Sequence, residues 1–143
     1  VIKQQSGQVF MDGVLFLLHK KGSGIKGARV PDVSFVRKEN FPKDWNIEEP
    51  IPGAPNLAVE IMSPNDSAVE TLKRVRDYLR AGTEQVWVVY PSQKEVHQYR
   101  RNESPETALL YTGGDAIDTG SLFPGLEITT SAFFVLPEWF NKK

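Results

Sequence analysis

The sequence predicts an α/β (α+β) fold: a mixed β-sheet with a helix on one face. Three observations point there. Several short runs rich in β-branched or apolar residues are bounded by Pro or Gly, as buried strands are. One longer stretch, residues 68–81, carries apolar residues at helical spacing between two such runs. At 143 residues the chain, 1–143, is read as a single domain with one core.

Residues 8–18 read as a strand pair or one bent strand, with Asp12-Gly13 as a turn signal. Residues 20–27 are basic and Gly-rich, a flexible hairpin loop, and residues 29–36 form the next strand. Residues 37–55 carry prolines and mixed charges and read as a long surface excursion. Residues 57–61 are the third strand. Ser63-Pro64-Asn65-Asp66-Ser67 then supplies helix-start residues, with Asp66 expected as the N-cap, and Gly82 ends the helix. Strands follow at 85–90 and, after the Pro91-Ser92-Gln93-Lys94 turn, at 95–100; shorter ones are expected at 109–111 and 126–129. The apolar C-terminal residues Phe133, Phe134, Leu136, Trp139 and Phe140 are expected to cover the sheet or to form a homodimer contact.

Composition excludes several chemistries. There is no cysteine, so disulfides, thiolate zinc sites and Cys nucleophiles are out. His19 and His97 form no pair at metal-ligand spacing. The net charge of −1 gives no global basic field for nucleic acid, so such a partner needs a local patch. No apolar run approaches the ~18–20 residues of a membrane span, no secretory pattern is present, and the expected setting is cytoplasmic with no membrane partner.

Two carboxylates stand out. Asp32 sits in Arg29-Val30-Pro31-Asp32-Val33-Ser34-Phe35-Val36, and Glu60 in Asn56-Leu57-Ala58-Val59-Glu60-Ile61-Met62. An ionised carboxylate on an apolar strand is costly to bury without a cation or donors. Two of them on strands that could be neighbours suggest a shared hard cation such as Mg²⁺, which takes oxygen ligands and is satisfied by one or two carboxylates plus substrate phosphates. The Ile61 carbonyl could add a further ligand. Such a metal activates water and neutralises charge on a phosphodiester, and a basic side chain nearby adds electrostatic stabilisation. Separately, each acid has a plainer reading: a Pro-Asp strand start for Asp32 and a structurally paired buried acid for Glu60.

The residues in order, Val30-Pro31-Asp32-Val33, Val59-Glu60-Ile61-Met62-Ser63-Pro64, the Lys/Arg-rich helix ending Tyr78-Leu79-Arg80-Ala81-Gly82, and Val86-Trp87-Val88-Val89-Tyr90-Pro91, resemble the Uma2 family (DUF820) of the PD-(D/E)XK nuclease superfamily. Leu122-Phe123-Pro124-Gly125-Leu126 is similar to its C-terminal strand signature. The resemblance implies a restriction-endonuclease-like domain in two or three layers, DNA as partner, and a Mg²⁺-dependent cleaving site, with Mn²⁺ the other candidate metal, at Asp32 and Glu60. It also implies an N-terminal helical portion preceding Val1, and pairing of copies as homodimers is compatible with cutting two strands.

Two departures bear on the chemistry. Met62 stands where the superfamily usually has Lys. The resemblance instead implies a Lys on the helix four residues before Tyr78, and Arg74 occupies that position, beside Lys73. Arg keeps the charge but cannot give up a proton. On a helical wheel with Ala68, Leu72, Val75 and Leu79 as the apolar face, Lys73, Arg76 and Arg80 lie on the flank while Arg74 points about 160° away. Family position selects Arg74; the wheel selects Lys73 or Arg76, with Lys73 ahead. A solvated basic face is the plain alternative.

Weaker candidates complete the reading. Trp87 and Phe35 are expected in the core. Lys20, Lys21, Lys26 and Arg29 could hold phosphates or merely solubilise a loop. Asp12 joins the site only if the turn reading fails, and Ser63 has no general base in reach. The rivals to a nuclease are a degenerate nuclease fold that binds DNA or protein, and a purely structural domain.

Overall fold

Gln85-Val86-Trp87-Val88-Val89-Tyr90 is apolar on both faces, and a strand of that kind belongs inside a sheet covered on both sides. A computed structural model of the chain describes residues 6–11, 13–20, 24–103 and 107–135. Within them, chain order is β1 (Gly7–Met11), β2 (Phe16–Lys20), β3 (Gly24–Arg29), β4 (Val33–Arg37), β5 (Ile51–Pro52), β6 (Leu57–Ile61), α1 (Ala68–Ala81), β7 (Gln85–Tyr90), β8 (Glu95–Arg100), β9 (Leu109–Thr112), β10 (Ala116–Ile117) and β11 (Ile128–Thr129).

The main sheet has the order β1-β4-β6-β7-β8-β9, with β7 inside it as expected. Only β6 and β7 pair in parallel within this sheet, and the chain between them is α1. The other pairings are antiparallel, so the sheet is mixed with one helix. Alternation sorts the strand residues. Val36, Ala58, Val86 and Val88 face a core shared with Val75 and Tyr78 of α1 and with Phe16, Leu18 and Ile51 of the second sheet, β3-β2-β5. Phe35, Leu57, Val59, Trp87 and Val89 face the opposite core, closed by Ile117 and Leu122.

Helix α1 starts where Ser67 Oγ accepts the Glu70 N–H at 3.3 Å. Asp66 is therefore not the N-cap; its carboxylate accepts the Ser63 N–H at 2.8 Å instead. Gly82 ends the helix at φ 113°, a left-handed conformation that favours glycine. α1 is not long and apolar enough to cross a membrane, nor is any other helix among the described residues.

Three other expectations change, and a fourth is met for the residues described. Residues 8–18 form neither a hairpin nor one strand: β1 pairs with β4, whereas β2 joins β3 and β5. The strand expected at 29–36 breaks at Pro31, which has no N–H for a ladder, so β3 ends at Arg29 and Asp32 sits in a bend before β4. The excursion at 37–55 is anchored: Ile51 is buried, and Phe41 and Trp45 stack edgewise or tilted against one another and Phe10. The C-terminal Phe133 meets Trp87 edge-on at 6.2 Å and Phe134 packs on the same core, so this part does cover the sheet. Leu136, Trp139 and Phe140 lie outside the described residues, as do Asp12 and Lys21 and the side chains of His19, Lys20 and Lys26.

Candidate active site

The β4–β6 ladder ends at Val33 opposite Val59. One residue beyond that ladder, Asp32 in its bend lies beside the end of β6, and Glu60 shares with Ala58 the face that carries α1. Beyond the ladder, the Ile61 N–H has no strand partner from β4, and Asp32 supplies one: its Oδ2 accepts that N–H at 2.7 Å. Because Met62 N–H bonds to the Val89 carbonyl, on the β7 side, strand alternation turns the Ile61 amide and carbonyl toward Asp32.

Glu60 is nearly buried, its side chain 11% exposed. Oε2 accepts the hydroxyl of the fully buried Tyr78 at 3.1 Å, and Oε1 lies 3.5 Å from Arg74 Nε. Burial pushes the Glu60 carboxyl above its ordinary range; Arg74 and the Tyr78 hydroxyl oppose that, the Asp32 charge adds to it, and Arg29 opposes it more weakly. Tyr78 itself is held well above the usual phenol range, first by burial and then by the neighbouring Glu60 charge.

The structure places Arg74 at the acid pair, and the wheel's preference for Lys73 is corrected. Lys73 is exposed on α1, and no contact to either carboxylate is present among the described residues. The buried stripe of α1 runs through Thr71, Val75 and Tyr78, with Leu72 and Leu79 only half-buried. That stripe is rotated roughly 60° from the apolar count at 100° per residue, toward Arg74 and away from Lys73.

Three residues of this neighbourhood escape a reading from sequence alone. Tyr78 marked the family motif, yet its hydroxyl is the hydrogen-bond donor to Glu60. Arg29, grouped with loop lysines, instead reaches α1 and pairs with Asp77 at 2.8 Å. The available signal was helical spacing: Arg74, Asp77 and Tyr78 fall at i, i+3 and i+4, on one face.

Could this set hold a metal? Asp32, Glu60 and the Ile61 carbonyl are all hard oxygen donors, and each carboxylate has lone pairs beyond those already engaged. No group of three or more His, Cys, Asp or Glu side chains at metal-binding distance occurs among the described residues. Two carboxylates with a carbonyl suit Mg²⁺, which keeps waters and takes substrate oxygens, better than they suit a metal that needs a full protein cage. Among the described residues, Glu60 pairs with Arg74 and Asp77 with Arg29, while Asp32 accepts a neutral backbone N–H. The donor set fits.

The Uma2 family model, described as "Putative restriction endonuclease", matches residues 1–131 of the chain. No curated protein matches. Among solved structures, the chain is similar to "a putative nuclease belonging to DUF820" from Anabaena variabilis ATCC 29413, with a TM-score of 0.71 and 22% identity over 92% of this chain and 69% of that one. At that identity the likeness speaks for the fold, which is restriction-endonuclease-like.

Proposed function

The chain belongs to the Uma2 family, and from that premise we propose that it hydrolyses DNA phosphodiester bonds with Mg²⁺. In this reading Asp32, Glu60 and the Ile61 carbonyl hold the metal, with Mn²⁺ as a substitute. When bound, the ion would polarise the phosphate and supply an activated water. Arg74 faces the developing charge on the phosphate; it stabilises that charge and cannot act as a general base. The observation that carries the reading is the convergence of Asp32 and Glu60 at one end of β6, with Arg74 3.5 Å from Glu60.

A second reading has its own observation. The Arg74 guanidinium already neutralises Glu60 in part, as a metal would, so the fold could bind DNA without cutting it. One experiment separates the two. Supercoiled plasmid is incubated with the full-length protein and Mg²⁺ or Mn²⁺, alongside Asp32→Asn and Glu60→Gln. The nuclease reading expects nicking or linearisation that both variants lose. Binding without cutting under either metal transfers the conclusion to the binding module.

A further inference from the structure

The acid pair has a second guanidinium, and it comes from a different element. Arg29 ends β3 three residues before Asp32, and its Nη2 donates to Asp77 Oδ2 on α1 at 2.8 Å. Asp77 follows Arg74 by three residues, so the helix presents both on one face. The electrostatic influence of Arg29 reaches Glu60 and Tyr78, as that of Arg74 does. A guanidinium offers five N–H donors; Arg29 uses one on Asp77 and one, at 3.3 Å, on the Ala28 carbonyl. Its Nε, like that of Arg74, is buried without a hydrogen-bond acceptor among the described residues. Yet 29% of the side chain is exposed, and the hydrogen bond of its Nη1 to the Ala28 carbonyl lies at the surface. An arginine fixed at one end, with donors to spare and a planar fork that matches phosphate, is built for an anion.

We propose that Arg29 is a second phosphate-binding residue of the site, positioned by Asp77 and receiving a DNA phosphate next to the one Arg74 faces. The inference rests on the nuclease reading above, and it assigns Asp77 a positioning task. The plain alternative is a clamp that merely ties the β2–β3 hairpin to α1.

The test is the salt dependence of binding to a fluorescein-labelled DNA duplex in Ca²⁺, followed by anisotropy for the full-length protein. Each phosphate neutralised on duplex DNA contributes about 0.9 to the slope of log K against log salt. Arg29→Gln is expected to lower that slope by about 0.9, whereas Asp77→Asn breaks the same ion pair, keeps the arginine and keeps the slope. A clamp makes the two variants behave alike, and equal slopes overturn the proposal while leaving the nuclease reading in place. Should Arg29→Gln not fold, Arg29→Lys replaces it: the charge and slope remain, but loss of the fork weakens binding, and unchanged affinity overturns the proposal. If the unmutated protein binds no duplex at all, the proposal falls together with the reading beneath it.

Discussion

Two glutamates occupy opposite ends of the parallel β6–β7 pair, and they are treated in opposite ways. Glu84, just before β7, accepts from Arg37 Nε at 2.8 Å, Arg37 Nη2 at 2.9 Å and Asn56 Nδ2 at 2.8 Å. The Arg37 hydrogen bonds hold its carboxyl below the ordinary range. Glu60, near the far end, has one neutral hydroxyl and one long cationic contact, and its carboxyl is raised. One acid is compensated by the fold; the other is left short of positive charge. A carboxylate with a structural task is satisfied in place; the unmet demand at Glu60 is what the proposed metal would answer, and perturbed groups of that kind gather at functional sites.

Substitutions can break this comparison. The largest expected effect is on cleavage: Glu60→Gln should reduce Mg²⁺-dependent rates by at least roughly 10²–10³, the cost of losing one electrostatic stabiliser, with no loss in thermal stability because burial already disfavours the charged form of Glu60 in the folded chain. Glu84→Gln should leave the cleavage rate per folded molecule unchanged. A cleavage defect in Glu84→Gln, or a melting-point drop in Glu60→Gln, would erase the distinction.

Next in size is linkage to metal. At a hundredfold excess over Kd, a ligand that binds only the folded chain stabilises it by about 2.7 kcal/mol. Mg²⁺ titration in a thermal melt should raise Tm for the unmutated protein and leave Asp32→Asn and Glu60→Gln flat.

Glu84→Gln should itself cost about 1–2 kcal/mol in denaturant unfolding, since it removes charge-assisted hydrogen bonds between partly exposed partners. The pH dependence sharpens this. A carboxyl depressed in the folded state stabilises fully above its unfolded pKa, and that stabilisation is lost as pH falls through the lower folded value. The unmutated protein should therefore lose stability on acidification below the ordinary Glu range more steeply than Glu84→Gln does. Parallel acid limbs would show that the pair contributes nothing.

An effect of the same size is expected at Leu72. Its half-buried side chain should cost about 1–2 kcal/mol on replacement by Ala, below the 2–5 typical of fully buried leucine. A loss at or above that range would mean the helix turns its apolar-count face inward after all.

How much of this was legible follows from the physics of each signal. The strands at 57–61, 85–90 and 95–100 and the helix at 68–81 announce themselves through periodicity and stop residues, and the structure has them at those bounds. Asp32 and Glu60 were conspicuous because a charge inside an apolar run has few innocent explanations. The cation was harder. Thr71 and Tyr78 belong to the buried stripe, but their hydroxyls make them count as polar; buried, those hydroxyls are satisfied by the Ser67 carbonyl at 2.8 Å and by Glu60. An apolar count thus misses two of three anchors and turns the helix. Sheet membership of β1 and β2 was hidden for another reason: their partners β4 and β5 lie far along the chain, and nothing local specifies the switch. Strands β10 and β11 are two residues each, too short to have a period.

The bond from the Ile61 amide to Asp32 has a spectroscopic consequence. A backbone proton normally held by a neighbouring strand here answers to a carboxylate whose electron density shifts whenever a cation draws on it. In a ¹⁵N-edited NMR spectrum, that one peptide group should move on titration with divalent ions, and its exchange with solvent deuterium should slow as the carboxylate is locked. If Asp32 holds a metal as proposed, residue 61 is its occupancy gauge, readable without DNA, without turnover and without an added label on any side chain.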